Sequence, residues 1–220
     1  MRIGIIGIGV MGAYHTRVYS EISRTNDVHL VGISDIDRNR VEEIAKKYGT
    51  EAFTDYNELL NAGLDAVSIC VPTKMHKDVA LAAIQKGVRG ILVEKPISDN
   101  LRDANDIIKL AKDKGVVLTI GHVERFNPAV LLMKDIIDSG RLGRVVSISA
   151  KRVGPGPPKL KDTGVIVDLA VHDIDIICYL FGAIPTDVYA FAGIGNNGLE
   201  DRASIILRFS EERAGVLDTN

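Results

Sequence analysis

The stretch Met1-Arg2-Ile3-Gly4-Ile5-Ile6-Gly7-Ile8-Gly9-Val10-Met11-Gly12 decides how the rest of this chain is read. A short apolar, β-branched run, Arg2–Ile6, is followed at once by glycines in the order Gly-x-Gly-x-x-Gly. Met11–Ile22 then carries apolar residues at helical spacing. The order is strand, glycine turn, helix. One positive charge followed by apolar residues also looks like the start of a short secretion signal. Glycines interrupt that run immediately and no small-residue cleavage site follows, so it reads as a strand.

Outward from this turn the alternation continues to about Ile120. Strand candidates are Arg2–Ile6, His29–Ser34, Ala66–Val71, Gly90–Glu94 and Val116–Ile120. Helical stretches are Met11–Ile22, Arg38–Tyr48, Tyr56–Asn61, His76–Lys86 and Leu101–Lys114. Nearly continuous apolar strands between helices predict a parallel sheet covered on both faces. Gly49, Gly87 and Gly115 fall where helices should end in left-handed caps.

Beyond Ile120 the pattern changes. A helix is expected from Pro128 to about Asp138, with proline in its first turn. Arg144–Arg152 alternates like a strand, Gly154–Pro158 is a Gly/Pro-rich loop, and Val165–Phe181 reads as one long apolar helix. Val188–Ala192, Ala203–Phe209 and Ala214–Thr219 follow as successive strands. The prediction is an α/β chain with an N-terminal Rossmann parallel sheet over residues 1–121. An α+β domain with a mainly antiparallel sheet follows over residues 122–220. The last strand pattern runs to the end of the sequence without a closing turn, so this second sheet is expected to be incomplete.

Bulk composition narrows the function classes. With 220 residues, 46% of them hydrophobic and 25% charged, the chain can bury a real core. Its 27 basic and 29 acidic residues give a formal charge of -2 without a block of either sign. That argues against nucleic acid or an anionic membrane as partner. No uninterrupted apolar run is long enough to span a bilayer. Cys70 and Cys178 lie far apart in apolar surroundings, with neither metal-ligand spacing nor a disulfide framework. Reduced, buried thiols in a cytoplasmic protein without a metal are expected.

The glycine turn carries chemistry. Gly7 permits the tight bend, Gly9 has no β-carbon to block an approaching pyrophosphate, and Gly12 lets helix and strand pack closely. Together with Ile8, Val10 and Met11 they form the turn expected to hold a dinucleotide on the N–H groups of a helix start. Asp35 ends the next strand, 23 residues beyond Gly12, where a carboxylate accepts from ribose hydroxyls. A 2′-phosphate would meet that carboxylate, which favours NAD over NADP, although Arg38 and Arg40 stand near enough to receive such a phosphate. The competing readings are a glycine turn without ligand and a helix cap at Asp35, a role for which Asp37 competes.

Two more segments lie at strand ends, where open α/β sheets bind ligands. Cys70-Val71-Pro72-Thr73-Lys74-Met75-His76 puts Pro72, Thr73 and His76 at the expected cofactor edge, and Glu94-Lys95-Pro96 closes the next strand. An ammonium at Lys95 can polarise a hydroxyl or stabilise developing alkoxide charge. Alternatively, Lys95 is a surface lysine paired with Glu94, and His76 simply occupies a helix's first turn. Within Val165–Phe181, Asp168, His172, Asp175 and Tyr179 recur at i, i+4, i+7 and i+11, one face of an α-helix. A carboxylate one turn from a histidine fixes the imidazole's tautomer and raises its basicity, which suits a general base. An internal hydrogen-bond network of the same residues is the alternative.

Taken together, Gly7–Gly12, Asp35, Glu94-Lys95-Pro96, Arg125-Phe126-Asn127-Pro128 and Gly164 with Asp168 and His172 resemble the Gfo/Idh/MocA oxidoreductases over essentially the whole chain. The resemblance implies hydride transfer between a sugar or cyclitol and NAD(P). It makes Lys95 and His172 the active-site pair with Asp168 beside them, and it implies a second domain whose open sheet face often forms an oligomer interface. A homo-oligomer is expected if that sheet is complete.

A narrower resemblance, to the branch oxidising the 3-hydroxyl of UDP-N-acetylglucosamine or its uronic acid, rests on three segments. They are Gly121-His122-Val123-Glu124-Arg125-Phe126-Asn127-Pro128, Arg152-Val153-Gly154-Pro155 and Asp168-Leu169-Ala170-Val171-His172-Asp173. It implies Lys95, Arg125, Arg152, Asp168 and His172 around the substrate. Lys151, Arg152, Lys159 and Lys161 flank a stiff loop and could meet a diphosphate, or form a solvated basic loop. A free-sugar or inositol dehydrogenase and a dinucleotide-binding regulator without catalysis stand as the alternatives.

Overall fold

The computed structural model describes every residue except Asn26, 155–162, Asn197 and Glu211. The chain forms two compact units, Met1–Gly121 and His122–Asn220.

In the first unit β1 (Arg2–Ile6), β2 (His29–Ser34), β3 (Glu51–Phe53), β4 (Ala66–Ile69), β5 (Gly90–Val93) and β6 (Val117–Ile120) form one sheet. Its order is β3-β2-β1-β4-β5-β6, with every pairing parallel. The chain moves outward from β1 to one side and returns on the other at β4, which creates a switch point at their C-terminal ends. Residues of β1 alternate between two cores. Ile6 packs with Val67, Ile69, Val79 and Ile91, while Ile5 packs with Ile33, Val41 and Ala45. A strand buried on both faces must be apolar at successive positions, which explains the unbroken run in the sequence.

The helices α1 (Val10–Ile22), α2 (Arg38–Tyr48), α3 (Tyr56–Leu60), α4 (His76–Gln85) and α5 (Leu101–Lys114) begin and end where local chemistry allows. Asp37, Asp55 and Asn100 cap the starts of α2, α3 and α5. Gly49 and Gly115 close α2 and α5 at φ 68° and 66°. Gly87 also has positive φ but follows the cap residue Lys86. The strand β3 escapes a sequence reading because it has three residues and pairs only along one edge, with Gly32–Ser34. Strands β4 and β5 end earlier than expected, since Cys70 and Glu94 already belong to the loops beyond.

In the second unit α6 (Pro128–Asp138) is capped by Asn127, with proline in its first turn. The strands β7 (Ser147–Arg152), β8 (Asp187–Ile194), β9 (Glu200–Ser210) and β10 (Arg213–Thr219) form a sheet of order β7-β10-β9-β8. The pairs β8/β9 and β9/β10 are antiparallel and β7/β10 is parallel, so the sheet is mainly antiparallel with one parallel pair. Ala203, Ile205, Leu207 and Phe209 of β9 alternate into a core with Ala170, Ile177 and Leu217.

The segment expected as one α-helix over Val165–Phe181 is not regular. Ile166–Ala170 is π-helical, and the α-helix α7 runs Val171–Phe181, closed by Gly182 at φ 60°. A π turn carries more residues than an α turn, so positions before Val171 leave the α-helical phase of those after it. No helix of the described residues is long and apolar enough to cross a membrane.

Candidate active site

The glycine turn has the geometry its residue types allow. Gly7 sits at φ +88°, and a β-carbon there would stand 2.7 Å from the Cys70 backbone. A β-carbon at Gly12 would run into the Gly7 carbonyl oxygen, whereas one at Gly9 would meet nothing within 4 Å. The first and third glycines are therefore packing requirements, and the second borders open space. Gly9 caps α1 without a side-chain hydrogen bond, and the first turn holds no acidic residue. First-turn N–H groups lack intrahelical acceptors and carry the positive end of the helix dipole, so this end suits a phosphate.

Asp35 is bonded into the same turn. Its Oδ2 accepts the Ile8 N–H at 2.6 Å and its Oδ1 accepts the Asp37 N–H at 2.9 Å. It does not cap α2, because Asp37 does so by accepting the Arg40 N–H at 3.1 Å. Two carboxylate oxygens offer about four acceptor positions, so capacity remains for ribose hydroxyls. Arg38 pairs with Glu42 at 3.3 Å, while Arg40 pairs with Asp37 at 3.2 Å and lies 3.8 Å from Asp35. Carboxylates therefore already engage both arginines that could meet a 2′-phosphate.

At the end of β4, Pro72 precedes the 3-10 turn Thr73–Met75, and both Pro72 and Thr73 retain solvent exposure. His76 occupies the first turn of α4, the alternative reading. It is 1% exposed, with Nδ1 2.9 Å from the Pro96 carbonyl and Nε2 2.9 Å from the Val71 carbonyl. Both ring nitrogens face backbone oxygens, so the ring ties the loop after β4 to the loop after β5 and has no nitrogen left for a cofactor.

Glu94 is not a surface partner of Lys95. It is buried, its Oε1 lies 2.9 Å from His15 Nε2, and its Oε2 accepts the Lys95 backbone N–H at 3.2 Å. Burial alone would raise this carboxyl, but the His15 hydrogen bond and charge, with Lys95, outweigh it and hold it below its ordinary value. Lys95 itself is half-buried at the C-terminal end of β5.

His15, Cys70 and Glu94 offer donors within 4.8 Å of one another, a grouping the sequence reading missed. Their chemistry is that of a hydrogen-bonded cluster: two donors already share a bond, and burial pushes the Cys70 thiol up to about 12, so it keeps its proton. One sequence signal could have revealed His15. Gly12, His15, Thr16 and Tyr19 recur at helical spacing along α1, the face that turns toward the sheet.

In the second unit Asp168 lies half-buried in the π turn and His172 half-buried in the first turn of α7. Two residues of the expected stripe, Asp175 and Tyr179, meet one partner. Asp175 receives Arg125 bidentately, from Nε at 2.7 Å and Nη2 at 2.6 Å, and the guanidinium lies 5.5 Å from the Tyr179 ring centroid. His122 Nδ1 stands 3.8 Å from Asp175 as well.

Arg152 likewise holds Asp173 through Nε at 2.7 Å and Nη2 at 3.1 Å, and Asp173 is 7% exposed. Both arginines expected at a substrate thus give one edge of the guanidinium to a carboxylate of their own unit. Asp173 escaped sequence reading because it stands off the stripe, next to His172. Lys151 is exposed on β7, while Lys159 and Lys161 lie outside the described residues. A β-carbon at Gly164 would run into the Glu200 carboxyl, so a larger residue there would have to displace that side chain.

A parallel sheet whose order reverses beside an uncapped glycine turn, with an acid bonded into that turn, defines a dinucleotide-binding Rossmann domain. Residues 1–122 match the family model of the oxidoreductase family with NAD-binding Rossmann fold, and residues 130–220 match that of the GFO/IDH/MocA C-terminal domain. The chain belongs to the GFO/IDH/MocA oxidoreductase family.

Among its relatives, a UDP-N-acetylglucosamine 3-dehydrogenase of Acidithiobacillus ferrooxidans is 36% identical over 205 residues, covering 93% of this chain and 61% of the relative. A myo-inositol 2-dehydrogenase of Thermotoga maritima is 31% identical over 232 residues, covering 100% of this chain and 68% of the relative. A solved structure of UDP-N-acetylglucosamine 3-dehydrogenase from Acidithiobacillus ferrooxidans superimposes with a TM-score of 0.88 at 33% identity, covering 100% of this chain and 69% of that one. This chain therefore spans about two thirds of the length of these relatives.

Proposed function

We propose that this protein is an NAD-dependent dehydrogenase that removes hydride from a sugar carbinol, with the 3-hydroxyl of a UDP-N-acetylhexosamine as its substrate group. The observation that carries the dehydrogenase reading is the placement of Lys95. It leaves the C-terminal end of β5 beside a carboxylate bonded to α1, the helix that the glycine turn opens. The first unit binds the dinucleotide and the second holds the sugar. The open face of the second sheet, with Tyr189, Phe191 and Ile206 exposed, is the homo-oligomer contact. The protein works in the cytoplasm.

The residues fit NAD. Open space at Gly9 admits a diphosphate, Asp35 has acceptor capacity for ribose hydroxyls, and Arg38 and Arg40 are paired with carboxylates, which disfavours NADP. A bound nicotinamide supplies the hydride acceptor. His172 takes the proton of the sugar hydroxyl, Asp168 orients the imidazole, and the Lys95 ammonium stabilises the charge developing on the oxygen.

The UDP-sugar substrate is supported by the relative at 36% identity. An inositol or free-sugar substrate has its own support. Arg152, which a diphosphate would need, already holds Asp173, and an inositol dehydrogenase is 31% identical over the whole chain.

Single-turnover reduction of bound NAD separates the readings. UDP-N-acetylglucosamine or its uronic acid should reduce it, and myo-inositol and glucose should not. Equal reduction by myo-inositol would move the assignment to the second substrate class. Lys95→Ala and His172→Ala should each lower turnover by about 10²–10⁴-fold with NAD affinity retained. Parental rates in both variants would remove Lys95 and His172 from the catalytic assignment, and a parent that reduces NAD with no sugar would leave a dinucleotide-binding regulator.

A further inference from the structure

Glu94 is 6% exposed, and a carboxylate so far from water needs compensating partners. Its surroundings come from different elements. His15 on α1 bonds Oε1, and the Lys95 backbone N–H bonds Oε2. Gly121, just past β6, approaches so closely that a β-carbon there would stand 3.0 Å from Oε2. Glycine at 121 thus leaves the space that the carboxylate occupies, and two hydrogen bonds hold it there.

His15 is itself held. Its ring meets Tyr19 edge-on at 6.4 Å, and the Tyr19 hydroxyl lies 3.2 Å from Ser68 Oγ on β4. A continuous set of contacts thus runs from β4 through α1 to the backbone of Lys95.

We propose that His15 is a positioning residue for Lys95. It orients Glu94, and Glu94 fixes the Lys95 backbone, so the helix that receives the dinucleotide also sets where the ammonium stands. The inference rests on the reading of Lys95 as a residue of the reacting centre. A merely structural His15 would only neutralise a buried carboxylate, and its loss would loosen the sheet without singling out Lys95.

Backbone amide exchange, measured by NMR on the whole chain with and without NAD, distinguishes the two roles. In His15→Ala the Lys95 amide should exchange at least about tenfold faster, while the Ile5 and Ile33 amides keep their protection. Turnover should fall by about 10–100-fold with NAD affinity retained, because a small displacement of a reacting group is costly. His15→Gln, which restores a donor toward Glu94, should recover most of both effects.

Unchanged Lys95 exchange in His15→Ala would overturn the proposal. So would equal loss of protection at Ile5, or a His15→Gln variant no better than His15→Ala. If the parent oxidises no sugar, the proposed function fails, and the exchange measurement still decides the role of His15.

Discussion

The Asp35 carboxylate accepts the Ile8 backbone N–H at 2.6 Å, so the acidic end of β2 is bonded into the glycine turn that follows β1. One residue thus shapes the turn and, in the proposed function, accepts from the ribose. Asp35→Ala should weaken NAD binding and relax the exclusion of NADP. It should also cost about 1.5–3 kcal/mol of stability, as expected for a lost hydrogen bond to a charged group. Calorimetric titration of both cofactors with denaturant unfolding checks this, and unchanged values throughout would remove Asp35 from turn and ribose alike.

Gly9 and Gly12 should separate binding from folding. A methyl at Gly9 projects into open space, so Gly9→Ala should keep stability within about 0.5 kcal/mol while NAD binding is lost. A methyl at Gly12 collides with the Gly7 carbonyl, so Gly12→Ala should cost about 1–3 kcal/mol through overpacking. Thermal unfolding beside NAD titration tests the contrast, which equal melting temperatures would refute.

Arg152 supports the second unit before it can serve any substrate. Asp173 is buried, so Arg152→Ala leaves an uncompensated charge and should destabilise by about 3 kcal/mol. Arg152→Ala with Asp173→Asn should regain part of that loss. Urea unfolding of the two single variants and the double variant forms the cycle, and strict additivity would mean that the pair does not couple.

Burial, reinforced by the Glu94 charge, pushes the Cys70 thiol up to about 12. At pH 8 its thiolate fraction is then about 10⁻⁴, and reactivity should appear only as pH climbs toward that value. Burial also raises Cys178. Iodoacetamide at pH 8 should leave Cys70 unlabelled in the folded protein and label it after denaturation. Fast labelling of Cys70 in the native chain would contradict the raised thiol.

The architecture of the first unit was legible because its signals are local. A missing β-carbon, a positive φ and an apolar run act within a few residues, so Gly7, Gly49, Gly115 and the strands around them could be read directly. The helix starts at Asp37 and Asn100 follow from side chains bonding their own backbone neighbours. Fixed spacing also singled out Asp35, Asp168 and His172, and a strand end singled out Lys95, as site candidates, although the π turn over Ile166–Ala170 was missed.

Tertiary structure decided which charges meet. His15 and Glu94 lie 79 residues apart, Arg125 and Asp175 50 apart, and Arg152 and Asp173 21 apart. Only the folded chain brings these side chains together and strips water from their carboxylates. The fold likewise brings the His76 ring between the carbonyls of Val71 and Pro96. Sequence encodes the backbone's local preferences. The partner a buried polar group must find depends on distance through space, which the linear order of residues does not contain.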